Sequence, residues 1–327
     1  MNRLTAALLL SAIAAPIGAC DSDAPDVDDR AYYIATSDDC PRWRCGYNTS
    51  EINGKSLQEL NLDGEANADG VELVGFLPPA GLLLNYTLDT KGDALVARGG
   101  LLGKKTLSGP ALVGGALLLK VDGLVVPVLI AGYEDVASWA DGGAPVPAYA
   151  LVYADLQDPL LERSVCKGTL VDPLQASVVI LAGDRYDLDA KTVSAGNDGW
   201  FTLACAGSAA AKMALLGYGP NADVDGQDDP PTPAQRQATL KMITADYCGG
   251  GHSYTADGTP LRWENAAGTV TDADADPSDL EAIWSANGAL CLDTPRVVDP
   301  AEVACSLPSC ADLTLGDGEW ATYVVAD

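Results

Sequence analysis

Between residues 71 and 154 the chain alternates short apolar runs with glycines: 71–76, 82–86, 94–97, 111–121, 124–130 and 146–153. Each run has the length of a strand and is bounded by turn formers, which predicts a sheet-rich unit, a sandwich or a barrel. Residues 117–126 read as a hairpin about Asp122-Gly123, a pair suited to a turn in which both central φ angles are positive. Asn53-Gly54 and Asp63-Gly64 mark turns upstream of it.

Helical signals are confined to the second half. Residues 207–216 are Ala-rich and stop at Gly217 and Gly219, as helices often do. Thr232-Pro233-Ala234-Gln235 is a capping box with Pro at the first helical position. The helix it opens sets Ala238, Met242 and Ala245 on one face and runs to about Tyr247. A third helix is expected from Asp276-Pro277, burying Leu280, Ile283 and Trp284 and stopping at Asn287-Gly288, with a strand at 289–292 behind it. The fold class expected is α+β: a β-rich N-terminal part, sandwich- or barrel-like, and a disulfide-stapled C-terminal region with about three helices.

Residues 1–19 have another character. One positive charge, Arg3, precedes an apolar stretch from Leu4 to Ala15, shorter than the ~20 residues of a membrane-spanning helix. That pattern reads as a secretory signal. Its end, Ile17-Gly18-Ala19-Cys20, resembles the lipobox of bacterial lipoproteins. The resemblance implies cleavage before Cys20, a diacylglycerol on its thiol and usually an acylated new amino terminus; two or three chains make such attachment stable. The alternative is an ordinary cleaved signal that ends near a cysteine. Residues 20–38 open with Asp21-Ser22-Asp23-Ala24-Pro25-Asp26, an acidic run expected to be a disordered tether. Asp21 also resembles an inner-membrane retention signal, a rule that varies between lineages, so inner and outer membrane both stay open.

Charge narrows the partners. Asp and Glu number 46 against 19 Lys and Arg, a net charge of −27. Such a chain repels phosphates, which argues against nucleic acid. With Cys20 set aside, eight cysteines remain: Cys40, Cys45, Cys166, Cys205, Cys248, Cys291, Cys305 and Cys310. An even number in an exported chain points to disulfides. Nearness in sequence suggests Cys40–Cys45, Cys166–Cys205, Cys248–Cys291 and Cys305–Cys310, the two larger loops stabilising by roughly 3–4 kcal/mol each. Zinc is the rival, but there is no Cys-x-x-Cys pair and a single His.

The segment Thr244-Ala245-Asp246-Tyr247-Cys248-Gly249-Gly250 resembles the signature of the ADYC domain, a bacterial family without an assigned activity. The likeness extends to Trp200-Phe201-Thr202-Leu203-Ala204-Cys205, Leu216-Gly217-Tyr218, Asp257-Gly258-Thr259-Pro260-Leu261, Glu281-Ala282-Ile283-Trp284 and Gly288-Ala289-Leu290-Cys291. It covers about residues 95–310, more loosely at its start. The organisation expected is a signal peptide at 1–19, the tether at 20–38, a β-rich domain at 39–155 and an ADYC-type α+β domain at 156–327. Family members often carry Cys where Met213 stands and again near Thr239; the resemblance implies a disulfide between two helices that is missing here. They also tend to place a His at the position of Tyr254, whereas the single His of this chain is His252.

Several sites compete. Ser208 and His252 could form a nucleophile–base pair, but Ser208 lacks the Gly-x-Ser-x-Gly elbow and more simply caps a helix. Asp246 and Tyr247, at a helix end beside Cys248, read either as an acid and hydrogen-bonding pair in a pocket or as framework residues. Asn221, Asp223, Asp225 and Asp229, with Gly226 between them, reproduce the first half of a calcium loop, although Thr232 stands where the closing Glu belongs and Pro220, Pro230 and Pro231 flank it. The plainer reading is an acidic linker. Asp272, Asp274 and Asp276 are a weaker case of the same kind. The function expected is a lipid-anchored envelope protein for structure or interaction, attached to a membrane, with a possible protein partner and no cofactor. A calcium-dependent binding module and an envelope enzyme using Asp246 are the alternatives.

Overall fold

The computed structural model describes residues 50–80, 85–100, 103–155, 160–166, 177–187, 189–256 and 258–325. Cys20, Cys40, Cys45, the signal and tether segments, and most of the expected 82–86 run therefore lie outside the described residues. The chain opens with a hairpin, β1 (Glu51–Ile52) and β2 (Lys55–Ser56), then β3 (Glu59–Asn61) and β4 (Glu72–Leu77). A three-stranded meander follows: β5 (Tyr86–Lys91), β6 (Ala94–Gly99) and β7 (Lys105–Ser108). Next come β8 (Ala116–Val121), β9 (Leu124–Val136), β10 (Val146–Ala154), β11 (Glu162–Ser164) and β12 (Ser177–Ala182). A second hairpin, β13 (Asp184–Asp187) and β14 (Thr192–Ala195), precedes β15 (Trp200–Cys205). Helix α1 (Ala209–Met213), prolonged by a π-turn over Ala214–Tyr218, and helix α2 (Pro233–Thr244) lead to β16 (Leu261–Asn265), β17 (Leu280–Ser285), β18 (Gly288–Leu292) and β19 (Trp320–Val324).

The organising element is a curled, antiparallel sheet of eight strands in the order β3-β15-β12-β10-β9-β8-β4, with β11 also on β10. Its β10, β12 and β15 strands are buried on both faces, and the alternation of side chains along each strand assigns the faces. Phe201, Leu203 and Cys205 of β15, with Val178 and Ile180 of β12, enter a core closed by Leu88, Leu95 and Leu107 of the meander. Ala204, Val179 and Leu181 enter the opposite core, shared with the helices and with Trp284 and Trp320 of the C-terminal sheet β16-β19-β17-β18. The expected division at 155/156 falls between β10 and β11, and strands from both sides of it hydrogen-bond in this one sheet.

The Asp122-Gly123 hairpin forms with Val121 opposite Leu124, and both turn residues have positive φ, 48° and 83°. The expected 111–121 run is broken: residues Gly109–Leu112 make a 3-10 turn, and Gly114 at φ +87° turns the chain into β8. The third helix does not exist. Asp276 caps a single 3-10 turn, Pro277–Asp279, and the following residues form strand β17. Ala282 and Trp284 enter the large core while Ile283 packs with Cys291 and Cys310, so the strand is covered on both faces. A run apolar on both faces carries no period that separates strand from helix. Asn287-Gly288, read as a helix stop, lies at the turn of the β17–β18 hairpin instead.

Three disulfides are present among the described residues: Cys166–Cys205, Cys248–Cys305 and Cys291–Cys310. The first matches the neighbour rule. The other two correct it, because tertiary hydrogen bonds choose the partners. Leu292 donates its amide to Pro308 O, laying the 305–310 segment beside β18 so that Cys310 meets Cys291. The Ala304 amide donates to the Tyr254 hydroxyl, which sets Cys305 beside the 248–254 loop.

Candidate functional site

Helix α2 starts as its sequence demands, with Thr232 and Gln235 capping each other's backbone. It ends at Ala245 in the left-handed conformation, φ 50°. Each residue of the signature then has a framework partner. Asp246 Oδ2 accepts from Lys241 Nζ at 2.6 Å and from the Gly251 amide at 2.7 Å, and both side chains are almost wholly buried. Lys241 Nζ also donates to Ala190 O and Gly249 O, tying the β13–β14 hairpin to the helix. A Cβ on Gly249 would stand 2.0 Å from Asn287 O, and one on Gly251 1.9 Å from Asp189 O, so these positions of the loop require glycine.

The Tyr247 ring lies between Tyr254 and Trp284, with centroids 5.4 and 5.3 Å away. Its hydroxyl donates to Glu281 Oε1 at 2.5 Å and accepts from the Arg296 amide at 3.1 Å. Burial first, then the Glu281 charge, hold its phenol well above the usual range. Arg296 clasps both oxygens of Glu281, at 2.7 and 2.9 Å, and also donates to Met242 O at the end of α2. A second buried pair, Arg236 with Asp184, anchors the other end of α2 to β13.

The calcium candidates do not converge. Among the described residues no three carboxylate, imidazole or thiol groups meet as a metal set requires, Asp223, Asp225 and Asp229 included. The loop docks by its backbone: Ala144 donates to Asp223 O, Asp225 donates to Gly142 O, and Val224 is buried between them. Asn221 is turned the other way, donating from Nδ2 to Asp93 Oδ1 at 2.9 Å and to Ala182 O at 3.0 Å.

Asp93 has a consequence for pH. It also accepts from the amides of Ala182 and Asn221, yet desolvation outweighs these bonds and pushes its carboxyl up to about 6. Between about pH 4 and 6 the folded protein holds a proton there that the unfolded chain has released. Stability should therefore fall as pH rises through that window, by on the order of 2–3 kcal/mol from this group. Asp93→Asn is expected to flatten that part of the profile, as read by urea unfolding across the window; the same slope in the variant would refute the assignment.

A cleft of about 430 Å³ opens between the second face of β15, the start of α1, the C-terminal half of α2 and the 253–263 segment. Gly207 at φ +90° turns the chain from β15 into α1, and Ser208 caps that helix by accepting from the Ala211 amide. Ser208 thus lines the cleft as a cap, while His252 stacks edge-on against Tyr254 outside it. Asp246 and Tyr247 do not line it either. Its walls set alanines, leucines and Ile243 among at least as many polar groups, such as Ser253, Thr255, Lys191 and Arg296, with the indoles of Trp139 and Trp263 stacked 6.4 Å apart. Two polar atoms in those walls are buried without a hydrogen-bond partner, Thr202 Oγ1 and Trp263 Nε1. Thr202 is fully buried and Trp263 is 8% exposed.

Sequence reading missed Thr202, Trp263, Glu281, Arg296 and Lys241. Lys241 stands between Leu240 and Met242 and Glu281 between Leu280 and Ala282, but immediate neighbours point to different sides of a helix or strand, so neither charge announced its burial. Of the positions where the family tends to differ, Met213 is buried in the core and Thr239 Oγ1 accepts from Trp320 Nε1 at 2.8 Å.

No curated protein and no solved structure matches the chain. The ADYC domain does, over residues 109–298, a span that contains Trp139, Thr202, the Asp246–Cys248 signature and Trp263. That span is more than half of the sequence, and the chain belongs to the ADYC domain family.

Proposed function

We propose that this protein is a lipid-anchored component of the bacterial cell envelope that binds a ligand in the cleft without transforming it. The observation that carries the binding reading is the pair of buried, unpartnered polar atoms in the cleft wall, Thr202 Oγ1 and Trp263 Nε1. Buried polar groups are nearly always satisfied, so a pair left open beside a cavity calls for a partner from outside. The place of Asp246 and Tyr247 favours interaction over chemistry: neither lines the cleft, Tyr247 holds the Glu281–Arg296 pair, and Asp246 Oδ2 holds the 245–251 turn while its Oδ1 is buried without a hydrogen-bond partner. Three disulfides favour a compartment outside the cytoplasm.

Two measurements test this reading. Protein purified from membranes should carry a diacylglyceryl group on Cys20 by intact mass, and a free Cys20 thiol would overturn the anchor. Mature protein incubated with a small-molecule extract of the envelope should retain a compound that is recovered unchanged. Ala209→Trp, which fills the cleft from a half-buried position, should not retain it. Equal retention by both proteins, or recovery of a chemically altered compound, would overturn the reading.

A further inference from the structure

We infer that the ligand of this cleft is an uncharged saccharide of one or two pyranose rings, packed against the half-buried indole of Trp139 and hydrogen-bonded to Thr202 Oγ1 and Trp263 Nε1. This rests on the binding reading above and goes further, by naming the chemistry of the occupant.

The polar groups left open narrow the class. Trp263 Nε1 can only donate, while the Thr202 hydroxyl both donates and accepts. Both groups can therefore donate, and their partner must offer acceptor oxygens: a hydrocarbon has none, whereas a sugar hydroxyl supplies them and can also donate to Thr202. Ser253 and Thr255 add hydroxyls of the same two-way kind to the lining of the cleft.

The charged groups nearby point the same way. Arg296 is clasped by Glu281, and Lys191 and Lys212 each have a partner of their own. None of the three cations is left waiting for an anionic ligand. The half-buried indole of Trp139 supplies the apolar complement: a pyranose presents a face of C–H groups, and flat aromatic surface buries such a face well. The volume of about 430 Å³ lies within the span of small-molecule sites, roughly 300–1,000 Å³.

The decisive variant is Thr202→Val, which keeps the shape of the side chain and removes the hydroxyl. Because that hydroxyl is buried without a partner, the variant should fold with an unchanged or higher melting temperature. Purified mature protein is titrated with glucose, N-acetylglucosamine, maltose and N,N′-diacetylchitobiose, followed by tryptophan fluorescence and calorimetry, with glucuronate and cyclohexanol as controls. The expected result is saturable binding of at least one neutral saccharide, weakened about tenfold or more in Thr202→Val and in Trp263→Phe, with weaker binding of both controls. Three results would overturn it: no saccharide bound at millimolar concentration, tighter binding of glucuronate or cyclohexanol, or a melting temperature lowered in Thr202→Val, which would mark the hydroxyl as part of the framework. Should the envelope extract yield a retained compound that is not a saccharide, this inference falls while the binding reading stands.

Discussion

Arg296→Met is expected to lower the stability of the folded protein by about 3–5 kcal/mol, the range for a buried ion pair that loses one partner. Glu281 is fully buried, and both its oxygens depend on the guanidinium, with the Tyr247 hydroxyl as a further donor to one of them. Methionine fills much of the same space but leaves that carboxylate inside without a counter-charge. It also frees the carbonyl of Met242 at the end of α2. The double change Arg296→Met with Glu281→Gln should recover a large part of the loss, since the unpaired charge goes with the second substitution. Urea unfolding at neutral pH compares both variants with the wild type. A loss under about 1 kcal/mol in the single variant, the value of an ordinary surface pair, would show that Glu281 reaches water.

Opening Cys248–Cys305 with a pair of serines is expected to be comparably severe, about 4 kcal/mol from the chain entropy of a loop whose ends are 57 residues apart. Opening Cys291–Cys310, 19 residues apart, should cost about 3 kcal/mol by the same reasoning. The first bond also holds the turn after α2 to the segment that follows Arg296, so its loss should loosen the Glu281 site. Hydrogen exchange of the 245–254 amides in the serine variant reads this directly. Protection equal to wild type would separate the disulfide from the ion pair.

Local signals in the sequence carried far where a single turn or cap decides the structure. Asp122-Gly123 fixes its hairpin because the turn needs positive φ twice, and Thr232 with Gln235 fixes the start of α2 because the bonds that cap it are three residues apart. The signal failed where both faces of an element are covered. Residues 280–285 have apolar neighbours on either side, so the strand they form has no period to reveal it. Disulfide partners were equally hidden, since Cys305 and Cys310 take theirs from bonds made by Tyr254 and Pro308. The cleft was the least legible part. Thr202 and Trp263 come from different sheets, and a polar atom can be recognised as unpartnered only after everything that might have met it has folded elsewhere.

The two C-terminal disulfides interleave: Cys291 lies inside the loop closed by Cys248 and Cys305, and Cys305 lies inside the one closed by Cys291 and Cys310. One consequence concerns proteases. A single cut anywhere from residue 249 to 309 separates the chain into pieces that still share at least one covalent bond. Cut before Cys291, they are joined through Cys248–Cys305; cut after Cys305, through Cys291–Cys310; cut between those two, through both. A nicked molecule would run at full size until a reductant is added, and its C-terminal sheet would stay tethered to the rest of the protein through damage that releases a fragment from a linear chain.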